Sequence, residues 1–126
     1  MQKTVLNKRN RLKTNSSFKA TYCQNRVVSD EFFVLFAGKN KPDCNYEPKI
    51  GFVVSKKTDK RAVVRNKIKR RMRESFRIYL KEKEIPYMSL ILTAKENAKN
   101  INFEITLKSV YKLMDKMANK FIQEYY

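Results

Sequence analysis

The sequence predicts a two-layer α/β sandwich of the α+β kind, in which a small central mixed sheet of about four strands carries three helices. Apolar runs rich in β-branched and aromatic residues predict the strands, and stretches of helical periodicity predict the helices. The expected order is α-β-β-β-α-β-α in a single domain spanning residues 1–126. A chain of 126 residues is long enough to bury a sizeable core.

The N-terminal part predicts a basic arm followed by a short helix. Residues 1–14 contain five lysine or arginine residues and no acid, which is typical of a flexible basic arm. The run Asn15–Ser17 is a helix-start signal, and we expect the helix to end near Cys23 or Gln24. Phe18 and Tyr22 lie one turn apart on this helix, so their rings share one face.

Three strands are expected before the second helix. They are Arg26–Ser29, Phe32–Ala37 and Lys49–Ser55. The glycine, prolines and asparagines of residues 38–48 indicate a loop, so the last two strands predict an antiparallel hairpin.

The second helix is the most unusual part of the chain. Residues 61–73 hold seven lysine or arginine residues, interleaved with apolar residues at helical spacing. The predicted core face contains Val64, Ile68, Met72, Phe76 and Tyr79. The opposite face contains Asn66, Lys69, Arg70, Arg73 and Arg77, with Arg65 near the border. Asp59 is the expected N-cap, and Pro86 stops the helix.

The C-terminal part predicts one more strand and one more helix. Tyr87–Ala94 is an apolar strand, residues 95–102 are polar and turn-like, and residues 103–124 show helical periodicity. The stripe that includes Val110, Met114 and Met117 indicates a core-facing helix.

The net charge of +17 indicates a polyanionic partner. Twelve of these charges remain when the arm is set aside, so the charge belongs to the folded body. Nucleic acid is the favoured partner. A solvated helix that serves only solubility and an anionic membrane surface are the alternatives, although no apolar run is long enough to span a bilayer.

The cysteine and histidine content argues against a zinc site. The chain has no His, and Cys23 and Cys44 are far apart with no CxxC motif. We expect two unpaired thiols in a reducing cytoplasm, and a disulfide between them is the alternative, for which nothing in the sequence argues. The N-terminus also lacks the apolar run of a secretory signal.

The motifs around the basic helix resemble those of a known family. Three segments are together similar to the signature of the bacterial ribonuclease P protein subunit. They are Ser55-Lys56-Lys57, then Arg61-Ala-Val-Val-Arg65-Asn-Lys-Ile-Lys-Arg70, then Arg73-Glu74. Residues 8–12 also resemble the basic entry of that family, and Phe18 matches the aromatic residue of its first helix. The resemblance extends from about residue 8 to 94.

The resemblance implies a fold and a function. The fold would contain a left-handed βαβ crossover, against the usual handedness. The protein would be a subunit of the ribonucleoprotein that removes the 5′ leader from precursor tRNA. Its partners would be the catalytic RNA and the leader, with no membrane and no obligatory protein partner. Mg²⁺ held mainly by the RNA would activate the water.

The resemblance also implies two sets of site residues. The set expected to bind RNA is Lys56, Lys57, Arg61, Arg65, Asn66, Lys67, Lys69, Arg70 and Arg73. The set expected to line the leader cleft is Phe18, Tyr22, Phe36, Val53 and Ser55. Some relatives carry Tyr at the position of Phe36 and a small polar residue at that of Val53, so this chain offers stacking without those polar contacts.

The acids predict no catalytic centre on the protein. They are scattered, without the D-x-D or E-x-x-E grouping common in two-metal nucleases, and the commonest general base is missing with His. We therefore expect no catalytic residue and no metal ligand on the protein itself. The alternative function is a structural RNA-binding protein, of ribosomal type or an RNA chaperone, because charge and composition do not separate the two.

Overall fold

In the described part of the chain, four strands form one sheet and two α-helices pack on it. The structure, a computed structural model, describes residues 21–22, 26–39, 49–83 and 88–121. The strands are β1 (Arg26–Ser29), β2 (Phe33–Lys39), β3 (Lys49–Val53) and β4 (Met88–Ala94). The helices are α1 (Ala62–Glu82), a short 3-10 helix (Glu96–Asn100) and α2 (Phe103–Phe121).

The predicted α+β class is confirmed, but the predicted hairpin of β2 and β3 is wrong. The strand order is β1-β2-β4-β3, so β4 separates the two strands that are neighbours in the sequence. β1 and β4 pair with β2 in antiparallel fashion, whereas β3 pairs with β4 in parallel. The sheet is therefore mixed, as expected.

Burial explains why β4 takes the central position. Leu90, Ile91 and Leu92 are consecutive and fully buried, so both faces of β4 are covered. A strand that is apolar on both faces buries the most apolar surface when it lies between two neighbouring strands. β3 begins at Lys49 and contains Gly51, and it forms the edge. A parallel β3–β4 pair needs a crossover, and α1 supplies it. The left-handed sense of this crossover remains a prediction from the resemblance.

The two faces of the sheet have different environments. Cross-strand neighbours share a face, so Leu35, Leu92 and Phe52 form one row toward the helices. These residues belong to or pack against the main core, together with residues of α1 and α2. The next row along the strands, which contains Phe36, Ile91 and Gly51, points to the opposite face. That second face carries the aromatic residues described below, and Ile91 at its centre is fully buried.

The core face predicted for α1 is confirmed. Ile68, Met72, Phe76 and Tyr79 are buried, and Val64 is half-buried against them. Asp59 is not the N-cap: Arg61 occupies that position, and no side chain caps the helix. The Asp59 carboxylate accepts hydrogen bonds from Arg61 instead.

Element bounds differ from the sequence expectations in several places. β2 continues through Gly38 and Lys39, which were expected in the loop, because both residues pair with β4. β3 ends at Val53, before Ser55. The segment expected as a turn after β4 contains the 3-10 helix.

Several predictions lie outside the described residues. They concern the arm at residues 1–14, the helix start at residues 15–20, the loop at residues 40–48, and Cys23, Cys44 and Pro86. Of the predicted first helix, the structure describes Thr21 and Tyr22, which are helical. Two α-helices, rather than the three expected, are thus seen in the described ranges.

A polar and aromatic cluster joins the C-terminal end of α1 to α2. The Tyr79 and Tyr111 rings meet edge to face at 4.9 Å. The Tyr79 hydroxyl donates to Asp115, and the Tyr111 hydroxyl donates to Glu82. Burial is the main cause that raises the pKa of both phenols, that of Tyr111 to about 12. Both phenols therefore resist ionisation in the folded protein.

We predict that this cluster makes folding sensitive to alkaline pH. A phenol with an unfolded pKa of about 10 and a higher folded pKa stabilises the fold below pH 10, and this contribution falls as pH rises toward the folded pKa. Between pH 9 and pH 11, the wild type should lose about 1 kcal/mol more unfolding free energy than Tyr79→Phe, because only the wild type has this phenol. Urea unfolding at both pH values measures the difference, and equal losses would contradict the assignment.

Candidate nucleic-acid interface

The turn between β3 and α1 holds three predicted site residues at the surface. Ser55, Lys56 and Lys57 are exposed, whereas Thr58 is buried. The Thr58 backbone N–H donates to the Ser55 carbonyl at 3.0 Å. The Thr58 hydroxyl donates to the Ala94 carbonyl at the end of β4. This buried threonine therefore fixes the turn to the sheet and keeps the two lysines outward.

The first turn of α1 is held by arginines that bind backbone and carboxylate groups. One Arg65 Nη donates to the carbonyls of Asp59 and Lys60, at 3.1 and 2.7 Å. The Arg61 guanidinium forms a two-pronged ion pair with Asp59, although 76% of the Arg61 side chain is exposed. These hydrogen bonds from the Arg61 side chain, followed by one from its backbone N–H, lower the pKa of Asp59 to about 2. Arg65 and Arg61 thus have structural partners in addition to their predicted role toward RNA.

A stripe of polar and basic side chains runs along one flank of α1, and we call it the cation stripe. An advance of 100° per residue places its five members together. They are Asn66, Lys69, Arg70, Arg73 and Arg77.

The members of the cation stripe differ in their surroundings. The Arg73 guanidinium lies 5.8 Å from the centre of the Phe52 ring on edge strand β3, a distance at which a cation is attracted to the ring. Arg77 is paired with Glu74 one turn earlier. Asn66 and Arg70 are exposed, and Lys69 is half-buried. Arg73 and Arg77 are therefore oriented before any partner arrives, and Arg70 is the most open cation.

Lys67 does not belong to the cation stripe. It lies on the other flank of α1 with Arg71, where both line a cavity against the 3-10 helix. The structure therefore separates Lys67 from Arg70 and Arg73, although the sequence expectation grouped them.

The sheet face opposite the helices brings together part of the predicted leader cleft. The Tyr22 ring meets the Phe36 ring edge to face, with centroids 4.8 Å apart. Tyr22 is 37% exposed, and Phe36 is half-buried. Val53 pairs with Thr93, which lies two residues along β4 from Ile91, and Val53 therefore lies on the same face as Phe36. Phe18 lies outside the described residues, and Ser55 follows beyond the end of β3.

A buried hydrogen-bond chain fixes Tyr22 over this face. Thr21 and Ser89 share a hydrogen bond of 2.7 Å between their hydroxyl oxygens. The Ser89 hydroxyl also donates to the Gly38 carbonyl at 3.3 Å. Both Thr21 and Ser89 are buried. Sequence reasoning missed these two residues, because a single serine within an apolar strand has no local signal for a distant partner.

Neither a cluster of metal-ligating side chains nor a membrane-spanning helix is found among the described residues. No three His, Cys, Asp or Glu side chains among them come together in a group that could hold a metal ion. No helix in these ranges combines the length and apolar character needed to cross a bilayer.

Comparison with known proteins connects these features to one family. The family model described as Ribonuclease P matches residues 6–118. The ribonuclease P protein component of Staphylococcus epidermidis is 34% identical over 116 residues, covering 90% of this chain and 96% of the relative. The corresponding protein of Clostridioides difficile is 30% identical over 103 residues, covering 82% and 87%.

Solved structures agree with these sequence matches. The RNase P protein of Staphylococcus aureus superposes with a TM-score of 0.77 at 29% identity, covering 90% of this chain and 97% of that chain. The RNase P protein of Thermotoga maritima shares the fold, with a TM-score of 0.72 at 24% identity, covering 84% and 96%.

We predict that the Thr21–Ser89 hydrogen bond couples the helical residues 21–22 to the sheet. Ser89→Ala should destabilise the protein by about 1–2 kcal/mol, because it leaves the Thr21 hydroxyl and the Gly38 carbonyl without this partner. The double variant Thr21→Val/Ser89→Ala should cost less than the sum of the two single variants. Urea unfolding of the four proteins measures this coupling, and strictly additive costs would show that the bond contributes nothing.

Proposed function

Since the chain belongs to the ribonuclease P protein family, we propose that it is the protein subunit of the ribonucleoprotein that removes the 5′ leader of precursor tRNA. The main support for this proposal is that the cation stripe and the aromatic sheet face lie next to one another in one small fold. The cation stripe of α1 suits folded RNA, and the aromatic sheet face suits an unpaired strand. The turn at Ser55–Lys57 connects the end of β3 to the start of α1.

The cation stripe is proposed to bind the catalytic RNA. Folded RNA presents phosphates at regular intervals, and a rigid helix presents its cations at fixed intervals in return. Guanidinium groups also form two parallel hydrogen bonds with a phosphate, which an ammonium does not. Lys56 and Lys57 extend the positive surface toward the sheet edge, and Arg65 and Arg61 hold the helix start in place.

The sheet face is proposed to bind the single-stranded leader. Aromatic rings accept any base by stacking, so leaders of different sequence can use the same surface. Tyr22 and Phe36 already contact one another, and this contact leaves Tyr22 partly exposed for a base. Val53 adds apolar surface on the same side. Phe36 has no hydroxyl, so its contribution is stacking alone.

The chemistry is proposed to reside on the RNA. Mg²⁺ would be held mainly by RNA phosphates, because oxygen ligands are what this hard cation prefers. The described acids do not form a donor cluster, and the strongly cationic surface disfavours a divalent cation, so these residues do not fit a protein-held Mg²⁺. The protein's task is to bind and orient the two RNAs, in the cytoplasm and without a further obligatory protein.

The direct test is cleavage of precursor tRNA at low Mg²⁺. Bacterial RNase P RNA alone, this protein alone, and their mixture are compared for product cut at the mature 5′ end. Strong stimulation in the mixture only is the expected result. Cleavage by the protein alone would move the chemistry to its side chains. Binding to the RNA without stimulation would favour a structural RNA-binding protein.

We predict that Arg70→Ala weakens binding to the catalytic RNA and reduces the salt dependence of binding. Loss of one phosphate contact should lower the slope of log K against log salt by about 1. Lys112→Ala is the matched control, because Lys112 is equally exposed but lies on α2. Filter binding over a series of salt concentrations gives both slopes. A slope for Arg70→Ala equal to that of the control would remove Arg70 from the interface.

We predict that Tyr22→Leu reduces the preference of the holoenzyme for precursor over mature tRNA. The loss should be about 1 kcal/mol or more, because one base loses its stacking partner. Binding of the catalytic RNA should stay close to wild type. Ile105→Ala serves as the control, since it removes an apolar side chain of similar exposure, 40%, from α2. Equal weakening of precursor and mature tRNA would separate Tyr22 from the leader.

A further inference from the structure

A groove on the second flank of α1 forms a basic site that the cation stripe does not include. Its cavity, of about 490 Å³, lies between the N-terminal half of α1 and the segment that contains the 3-10 helix. The cations that line it are Arg61, Lys67 and Arg71 from the α1 side, and Lys99 from the 3-10 helix. Cations therefore approach the same space from two separate elements.

Arg71 defines one wall of this groove. It is half-buried, and its Nη1 donates to the Ile101 carbonyl at 2.8 Å, just beyond the 3-10 helix. This bond ties the 3-10 segment to α1 and gives the guanidinium a fixed position. A guanidinium has five N–H donors, so one bond to a carbonyl leaves donor capacity for an anion.

The charge in the groove is strongly positive. Asp59 is the one acid that lines it, and Arg61 already neutralises this carboxylate through two side-chain hydrogen bonds. Lys67 and Lys99 are exposed, and neither forms a hydrogen bond or salt bridge with another described residue. The charges of Lys99 and Asp59 attract one another, but four cations against this one carboxylate leave the groove positive.

The floor of the groove is apolar. Val64, Ile68 and Ile101 line it, and the latter two are buried. An apolar floor beneath cationic walls matches a sugar-phosphate unit, whose ribose carbons can pack on the floor while the phosphate meets the cations. The volume lies within the range of about 300–1,000 Å³ that is typical of small-molecule sites.

The contrast with α2 argues for binding rather than solubility. Lys108 and Lys112 also lie one turn apart and are exposed, and they line neither this groove nor the cavity between α2 and β1. They lie along one helix face, and cations on a single solvated helix face are typical of solubility. The groove cations instead converge from α1 and the 3-10 helix, and Arg71 is fixed by a bond between the two.

We propose that this groove binds a phosphodiester of RNA, as a second contact of the protein that is separate from the cation stripe. The proposal rests on the proposed function in so far as the expected occupant is the catalytic RNA. Lys67 lies between the cation stripe and Arg71 around the circumference of α1, so the two sites are adjacent on the helix surface. Precursor tRNA is the other source of the same chemistry, and the test separates the two.

The test compares Lys99→Glu with Lys112→Glu in the full-length protein. Both changes alter the net charge equally at exposed positions, so non-specific electrostatic effects cancel. Affinity for RNase P RNA is measured by filter binding over a salt series. A second arm measures the binding of precursor tRNA to the reconstituted holoenzyme. Urea unfolding checks that both variants remain as stable as wild type.

We expect Lys99→Glu to weaken RNA binding by about fivefold or more at physiological salt and to lower the salt slope by about 1 relative to Lys112→Glu. Lys67→Ala should change the slope in the same direction. A loss confined to the precursor arm would support the phosphodiester site and assign its occupant to tRNA. Equal behaviour of Lys99→Glu and Lys112→Glu in both arms would overturn the proposal.

Failure of this proposal is distinguishable from failure of the proposed function. Wild-type protein that stimulates precursor cleavage, together with a Lys99→Glu variant that matches its control, would refute the groove alone. Wild-type protein that binds the RNA without stimulating cleavage, together with a selective loss in Lys99→Glu, would refute the function and support the groove.

Discussion

The burial of β4 on both faces determines the strand order and, through it, the position of α1. Leu90, Ile91 and Leu92 leave no face of this strand for water, so it lies between β2 and β3. The parallel pairing with β3 that results requires a crossing connection, and α1 is that connection. The start of α1 is thereby placed beside the C-terminal end of edge strand β3. The burial of β4 between β2 and β3 thus places the cationic helix next to the aromatic sheet face.

The cations of this protein are not equivalent, although the sequence presents them as one dense run. Arg65 and Arg71 bind backbone carbonyls, and Arg61 binds Asp59. These three arginines hold the start of α1 and the 3-10 segment in position, and the other cations project from these elements. Lys67 and Lys99 are exposed and form no hydrogen bond with a described residue, although the charge of Lys99 is attracted to Asp59. Loss of a structural arginine therefore combines local loosening with lost charge, whereas loss of an open lysine removes charge alone.

The sequence predicted those features that have a local signal. The core face of α1 follows from the spacing of Ile68, Met72, Phe76 and Tyr79, which any helix of this pattern would bury. The start of α1 does not, because Arg61 rather than Asp59 is its N-cap. The strand order was not predictable in this way. β2 and β3 are neighbours in the sequence, which favoured a hairpin between them, whereas the greater burial of β4 places β4 between them. The groove was missed because Arg71 and Lys99 are distant in the sequence and meet only in the fold. The placement of Phe36 and Val53 on one face likewise depends on the register with β4.

We propose that one fold presents two RNA surfaces with separate tasks, and reconstitution at saturating protein distinguishes the two tasks. Single-turnover cleavage of precursor tRNA is measured with Arg70→Ala and with Tyr22→Leu while the protein concentration is raised. We expect excess protein to restore the rate of Arg70→Ala, because the defect of this variant lies in assembly with the RNA. The Tyr22→Leu defect at subsaturating precursor should persist, because it lies in leader binding. Rescue of both variants, or of neither, would contradict the separation of the two surfaces.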